Sequence, residues 1–337
     1  GNAGVSGVNF HNGTGHLLKN CVFWANGYQY GLFCPNAAGD DISVVNGTFV
    51  GNAGTQVRRY TSGIITVKNS IFKNNTQAIV ANGTIYVSYS DVEGCGGSDA
   101  WALDAAKIKD NGGNIDTDPL FVGGPTGAWT ADAVYDSATD QTTLTDAGAA
   151  WTLNALRGRF LNPDTAGKAG FYVTSNSANQ IVVAGNAAAL GVSEKNYAVH
   201  DLHLQSEVGH WTFGNVWVDD DQTSPCVDAG DPADPFASEP EPNGGRINMG
   251  AYGNTPQASQ KQALPPDPVL RLFALAENGQ VRLIWENSLS GTFTGVLILR
   301  KAGGPPSATP AKGTAYSAPD TLGDAEIVYV GPGSNAT

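Results

Sequence analysis

Four segments of the chain repeat one another: NCVFWAN (Asn20 to Asn26), NGTFVGN (Asn46 to Asn52), NSIFKNN (Asn69 to Asn75) and YSDVEGC (Tyr89 to Cys95). Their first positions lie 26, 23 and 20 residues apart, and the fourth position is apolar each time (Phe23, Phe49, Phe72, Val92). A unit of that length cannot bury its apolar face alone, so neighbouring units must stack into a solenoid.

Leucine-rich repeats share this period, with leucines at fixed offsets and often a helix in each unit. The residues between the phenylalanines argue for strands instead. DISVVNGTFVGN (Asp41 to Asn52) and GIITVKNSIFKNN (Gly63 to Asn75) alternate polar and apolar residues, use β-branched ones heavily and break at Gly and Asn. No stretch in this region carries a convincing helical apolar period. Each repeat therefore reads as one coil of a parallel β-helix, with equivalent strands about 4.8 Å apart. Stacking places Phe23, Phe49 and Phe72 in one interior column, each contributing roughly 1.5–3 kcal/mol by burial. Asn26, Asn52 and Asn75 form a second column at a corner, where Asn tolerates left-handed backbone angles and can bond the Asn of the next coil. Both columns are structural ladders and carry no chemistry.

With those residues in place, the region resembles the right-handed parallel β-helix repeats of bacterial secreted and surface proteins. DTDPLFVG (Asp116 to Gly123), DLHLQS (Asp201 to Ser206), SPCVDAGDP (Ser224 to Pro232) and GGRINMGAYGN (Gly244 to Asn254) are similar to the end of such a helix. Cys226 departs from the pattern, which usually has a small residue there. The resemblance implies an all-β chain at an extracellular or cell-surface location, with coils over residues 1–123 and a closing part of the helix over 201–258. One architecture hosts many activities, so it leaves the function open.

Residues 124–200 interrupt the pattern with short strands and turns, as a small β-rich insertion or compact barrel. Trp129, Trp151, Phe160, Phe171 and Tyr172 are enough aromatics for a core of its own. After Ala258 comes a linker, residues 259–268, containing QALPPDP, a stiff boundary segment. VLRLFALAENGQVRLIWENSLSGTFTGVLILRKAG (Val269 to Gly303) then alternates cleanly, turns at Asn278-Gly279 and resembles the first strands of a fibronectin type III domain, with Trp285 as the core tryptophan. Residues 269–337 fall short of the roughly 100 residues of such a sandwich, and no later Tyr-bearing strand is read. An incomplete sandwich is expected, its open edge completed by self-association or by residues that follow Thr337.

The formal charge of −13 repels phosphate backbones and argues against nucleic acid as a partner. No run of apolar residues is long enough to span a membrane, and no signal sequence stands at the start. The first residues, GNAGVSGVNFHNGTGH, already look like an uncapped coil, so the natural protein is expected to extend upstream. Cys21, Cys34, Cys95 and Cys226 are too widely spaced for a dedicated zinc site. They read as buried thiols or as one or two disulfides, Cys21 with Cys34 and Cys95 with Cys226 being one of three pairings.

Nucleophile-elbow, zinc-helix, P-loop and dinucleotide motifs are absent. His11 and His16 read as solvent-facing residues of a polar turn. The densest constellation is Arg58, Arg59, Tyr60, Lys68 and Lys73, with Asp91 and Glu93 one coil later. In parallel β-helix polysaccharide lyases a basic group abstracts a proton beside a uronate carboxylate that cations neutralise. The resemblance thus offers Arg58, Arg59, Lys68, Lys73 and Asp91 as catalytic candidates, while the plainer reading makes them a solvated face that balances nearby carboxylates. Calcium is the metal the acidic turns suit, through Asp116 and Asp118, through Asp219, Asp220 and Asp221, or through the run from Asp228 to Asp234. None matches an EF-hand, and Asp-rich turns also occur simply as turns.

Three functions fit these observations. The chain is a structural or adhesive module of a large extracellular protein, which meets carbohydrate or other surface proteins; or a polysaccharide lyase or glycoside hydrolase; or a non-catalytic carbohydrate-binding module. The lack of a well-placed acid–base pair favours the first.

Overall fold

The computed structural model describes residues 6–10, 15–27, 29–34, 41–261, 269–277, 280–287, 295–308, 310 and 315–336. His11, the prolines of the linker and the Asn278-Gly279 turn lie outside the described residues. The chain divides into two units, Gly1–Ala263 and Leu264–Thr337.

The first unit is built on a parallel β-solenoid of about 4 turns. Its strands are β1 (Ser6–Asn9), β2 (His16–Trp24), β3 (Tyr30–Cys34), β4 (Ile42–Val50), β5 (Thr55–Arg59), β6 (Ile64–Lys68), β7 (Ile71–Lys73), β8 (Gln77–Ala81), β9 (Thr84–Ser88), β10 (Asp91–Val92) and β11 (Ile108–Asp110). One sheet stacks β1, β3, β5 and β8; the other runs β10-β7-β4-β6-β9-β11, with β2 on β4. The register carries like onto like. Ile42, Ile65, Ile85 and Ile108 form one column, Val44, Val67 and Val87 a second, and Phe23, Phe49, Phe72 and Val92 a third. The phenylalanine rings stack at centroid distances of 4.6 Å with interplanar angles of 7° and 2°.

Two asparagine columns run along the coils. In the first, Asn26 Nδ2 donates to Asn52 Oδ1 (3.0 Å) and Asn52 Nδ2 to Asn75 Oδ1 (2.9 Å). Left-handed angles were expected here, but the positive φ values fall on the other column: Asn20 (52°), Asn46 (53°), Asn69 (51°) and Tyr89 (45°). These residues make the corner. The strand before Asn46 pairs with β6 and the strand after it with β7, so a single left-handed residue turns the chain from one face of the coil to the next.

Residues 124–200 fold into a seven-stranded antiparallel sheet: β12 (Thr126–Ala128), β13 (Val134–Asp136), β14 (Gln141–Thr145), β15 (Phe160–Asn162), β16 (Phe171–Asn176), β17 (Gln180–Ala184) and β18 (Asn196–His200), in the order β12-β18-β15-β16-β17-β14-β13. Thr130 N donates to Thr145 O (2.9 Å) and Tyr197 Oη to Asp146 Oδ2 (2.7 Å), curling the sheet toward itself around Trp129, Leu144, Leu161, Ile181 and Tyr197. Two of the expected core aromatics lie elsewhere. Phe160 packs on Trp24 of the solenoid (5.5 Å), and Tyr172 is exposed.

Within the stretch expected to be the closing part of the helix, the described residues 201–261 add no strand to either solenoid sheet. After a hairpin of β19 (His210–Thr212) and β20 (Val216–Val218), residues 224–261 form a strap across the coils. Asn20 Nδ2 donates to Ala251 O and Gly253 O (both 2.8 Å), and Asn46 Nδ2 to Asn248 O (3.1 Å) and Gly250 O (3.2 Å). Asn69 Oδ1 accepts from Asp231 N (2.7 Å), while Gly250 N donates to Asn69 O (2.8 Å). The corner asparagines therefore turn the chain and also hold the strap. Gly250 fits because its φ is 87° and a Cβ there would lie 2.9 Å from both Ile71 and Thr48. Ser259 and Lys261 belong to the strap as well, bonding Leu204 O and Val227 O, so the strap runs into the residues assigned to the linker.

The second unit has two antiparallel sheets, one of β21 (Leu270–Glu277), β22 (Gln280–Glu286) and β26 (Asn335–Ala336), the other of β23 (Val296–Arg300), β24 (Thr321–Leu322) and β25 (Ala325–Gly331). A later Tyr-bearing strand does exist. Tyr329 of β25 meets the buried Trp285 edge-on at 5.6 Å, and its hydroxyl accepts from Gly333 N (2.8 Å).

Candidate functional site

The four-stranded sheet turns its apolar alternates inward (Leu32, Val57, Ile79) and leaves a different set outside. Register places Phe33 beside Arg58 and Arg58 beside Val80, and Tyr60 extends β5 by donating its N–H to Cys34 O (3.1 Å). Tyr30 and Phe33 stack at 4.5 Å, Phe33 meets Tyr60 edge-on at 6.0 Å, and the Arg58 guanidinium lies 5.6 Å from the Tyr60 ring. Tyr60 is 51 % exposed. Arg58 Nε is buried without a hydrogen-bond partner, and no described carboxylate pairs with the guanidinium.

A cleft of about 590 Å³ opens elsewhere, among residues 96–99, 113–117 and 225–229, with Arg246 and Lys261 on its wall. Burial lifts the Asp228 carboxyl to about 7 although Lys261 and Arg246 pull the other way, and its Oδ1 is buried and unpartnered. Arg246 itself is committed to the strap, bonding Ala229 O (3.0 Å) and Gly230 O and lying over the Tyr89 ring at 5.5 Å. Glu239, behind the strap, is also lifted to about 7 by burial; its Oε1 accepts from Asn248 N (2.9 Å) and Asn254 N (2.7 Å) while Oε2 has no partner.

The basic constellation is dispersed. Arg59 points inward and is fully buried; Gly63 and Gly83 make room for it, and Nη2 donates to Ser62 O. Lys68 bonds Asp234 (2.7 Å) and Asp231 (3.3 Å); burial works against its charge, but these carboxylates hold its pKa above the ordinary lysine value. Lys73 lies 3.5 Å from Glu93 and donates to Thr117 O. Asp91 is buried, its pKa raised by desolvation despite bonds from Thr117 and the Cys226 thiol (3.2 Å). Arg58 and Tyr60 alone share an accessible face.

The expected calcium ligands are held by turns. Asp116 caps Gly96 N (2.8 Å), Asp118 caps Leu120 N (3.2 Å), Asp220 accepts from Ser206 N and His210 Nδ1 (both 2.8 Å), and Asp219 and Asp221 are exposed. Among the described residues no group of three or more His, Cys, Asp or Glu is placed to hold a metal ion. Cys21, Cys95 and Cys226 are free thiols, so the Cys21–Cys34 and Cys95–Cys226 pairing does not form. His16 stacks on Phe10 at 4.4 Å. Where the insertion meets the strap, His203 Nδ1 lies 2.5 Å from Asp201 and Arg159 3.1 Å from it; His203 is 4 % exposed and stacked on Tyr252 at 3.7 Å, sealed from any substrate.

Sequence reasoning passed over Tyr30 and Phe33, which lie between the repeats that drew attention. The available signal was compositional: no Asp or Glu occurs in β1, β3, β5 or β8. Comparisons with protein-family models, with curated proteins and with solved structures find no match. Among the described residues no helix is long and apolar enough to cross a membrane.

Proposed function

We propose that this chain is a structural or adhesive module of an extracellular or cell-surface protein, a stiff rod rather than a catalyst. The observation that carries this reading is the strap, which is tied by Asn20, Asn46 and Asn69 to three successive coils. Cross-ties of buried hydrogen bonds oppose sliding or unwinding of the coils, which is what a load-bearing spacer requires. The basic residues support it too, because a lyase needs a base within reach of the substrate's proton. Arg59 is sealed inside, while Lys68 and Lys73 are paired with carboxylates. The extracellular setting rests on the resemblance to secreted β-helix repeats, and the Trp285–Tyr329 contact is compatible with a fibronectin-like spacer after the rod. Incubation with polygalacturonate, alginate and neutral glucans tests the reading. No new unsaturated or reducing ends should appear; turnover of any of them overturns it.

A second reading, glycoside hydrolysis, has one specific support. Asp228, with a carboxyl near 7, shares its cleft with Asp116, and such enzymes pair a protonated carboxyl with a second one. Any hydrolysis by that route should fall about 10²-fold or more in Asp228→Asn.

A further inference from the structure

We propose that the outer face of the four-stranded sheet, at Tyr30, Phe33, Arg58 and Tyr60, binds a saccharide bearing a single carboxylated sugar. Three observations carry this. The aromatic rings are contiguous, with centroids 4.5 and 6.0 Å apart; Tyr30 and Phe33 stack on each other and buttress Tyr60, whose half-exposed ring offers a surface on which the apolar C–H face of a sugar ring can stack. The Arg58 guanidinium is held beside that surface at 5.6 Å from the Tyr60 ring, and no described carboxylate pairs with it. A guanidinium in that state is a ready partner for a carboxylate, which it grips with two parallel hydrogen bonds.

The third observation is charge. The chain carries a net −13, yet the four strands of this sheet contain no acidic residue, and Arg58 is the charged group on its outer face. A local positive field on an acidic molecule selects a small anion over a long one, since an extended polyanion would meet the acidic surface beyond the sheet. That favours one acidic sugar, terminal or isolated, over a polyuronate or a nucleic acid strand, although bases also stack on aromatic rings. Asn82, whose Nδ2 donates to Tyr60 O (2.8 Å), fixes the backbone on which Tyr60 stands. This inference adds a ligand to the adhesive reading and fails separately from it, because product formation tests the one and Arg58-dependent binding tests the other.

The experiment is calorimetric titration of the full chain with a trisaccharide ending in glucuronic acid, the same trisaccharide ending in glucose, and a short oligothymidylate. The acidic trisaccharide should bind about 10-fold or more tighter than the neutral one. Arg58→Gln should erase that preference, Arg58→Lys should keep part of it, and Tyr60→Ala should weaken both saccharides by about 10-fold. Tyr60 is exposed enough to replace without unfolding the coil, and circular dichroism melts check each variant. No saccharide binding, equal binding of the acidic and neutral forms, a preference that survives Arg58→Gln, or tighter binding of the oligonucleotide each overturns the proposal.

Discussion

The coils and the strap occupy the same unit and share buried hydrogen bonds, yet they are specified in opposite ways. In the coils a residue touches its equivalent one turn away, 26 or 23 positions along the chain, and the same chemistry recurs at each step: Phe on Phe, Ile on Ile, Asn on Asn. In the strap, Asn248 and Gly250 meet Asn46 across 202 and 204 residues, and a side-chain amide faces backbone carbonyls rather than its own equivalent. The coils are stabilised by a column of identical burials, the strap by individual bonds between unlike groups. Damage to the first should therefore act through packing, and damage to the second through unpaired polar groups.

The largest effect is expected in the coils. Phe49 is sandwiched between Phe23 and Phe72, so Phe49→Ala should lower the unfolding free energy in urea by roughly 3–5 kcal/mol. A loss below about 1 kcal/mol, the scale of a single partly solvated contact, would mean that the column is not what holds the coils. Next comes the junction. Asn46→Ala removes two bonds to the strap, strands the carbonyl of Asn248, and puts Ala at a φ of 53°, for a cost of about 2–3 kcal/mol. Limited proteolysis should then cut within 224–261 before it cuts the coils; simultaneous cleavage of both would erase the distinction.

The strap should also respond to pH. Burial raises Glu239 to about 7, above its unfolded value of about 4.3, so the folded chain holds a proton that the unfolded chain has released. The resulting stability is complete below about pH 4 and is lost as pH rises through about 7, a fall on the order of 4 kcal/mol. Asp228 is shifted in the same direction. Denaturation midpoints followed from pH 4 to 8 should decline in the native chain and decline less in Glu239→Gln; an identical decline in both would remove Glu239 from the account. The smallest effect is expected at the partly solvated ion pairs of Lys68, where Lys68→Met should cost about 1 kcal/mol and the loss should shrink in high salt.

How much of this was legible follows from the same contrast. A periodic interior announces itself, and the spacing of Phe23, Phe49 and Phe72 leads directly to their stack. Which asparagine turns the corner did not follow, because Asn suits both a side-chain ladder and a left-handed bend; only backbone geometry separates Asn52, which ladders, from Asn46, which bends. Tyr89 at the last corner shows that the position does not demand Asn. The strap's motifs were visible, but their contacts depend on where the insertion returns the chain. Tyr329 was missed because a Gly- and Pro-rich stretch separates its strand from β23, hiding their pairing. The face of Tyr30, Phe33, Arg58 and Tyr60 gathers parts of two coils that no local pattern connects.

Native-state hydrogen exchange tests most directly whether strap and coils are one rigid body. The amide of Gly250, bonded to Asn69 O, and the amides of β4 should exchange with the same free energy of opening, reached only by global unfolding. A Gly250 amide that exchanges several kcal/mol more easily than β4 would show a strap that lifts off on its own, and would contradict the cross-tied rod on which the proposed function rests.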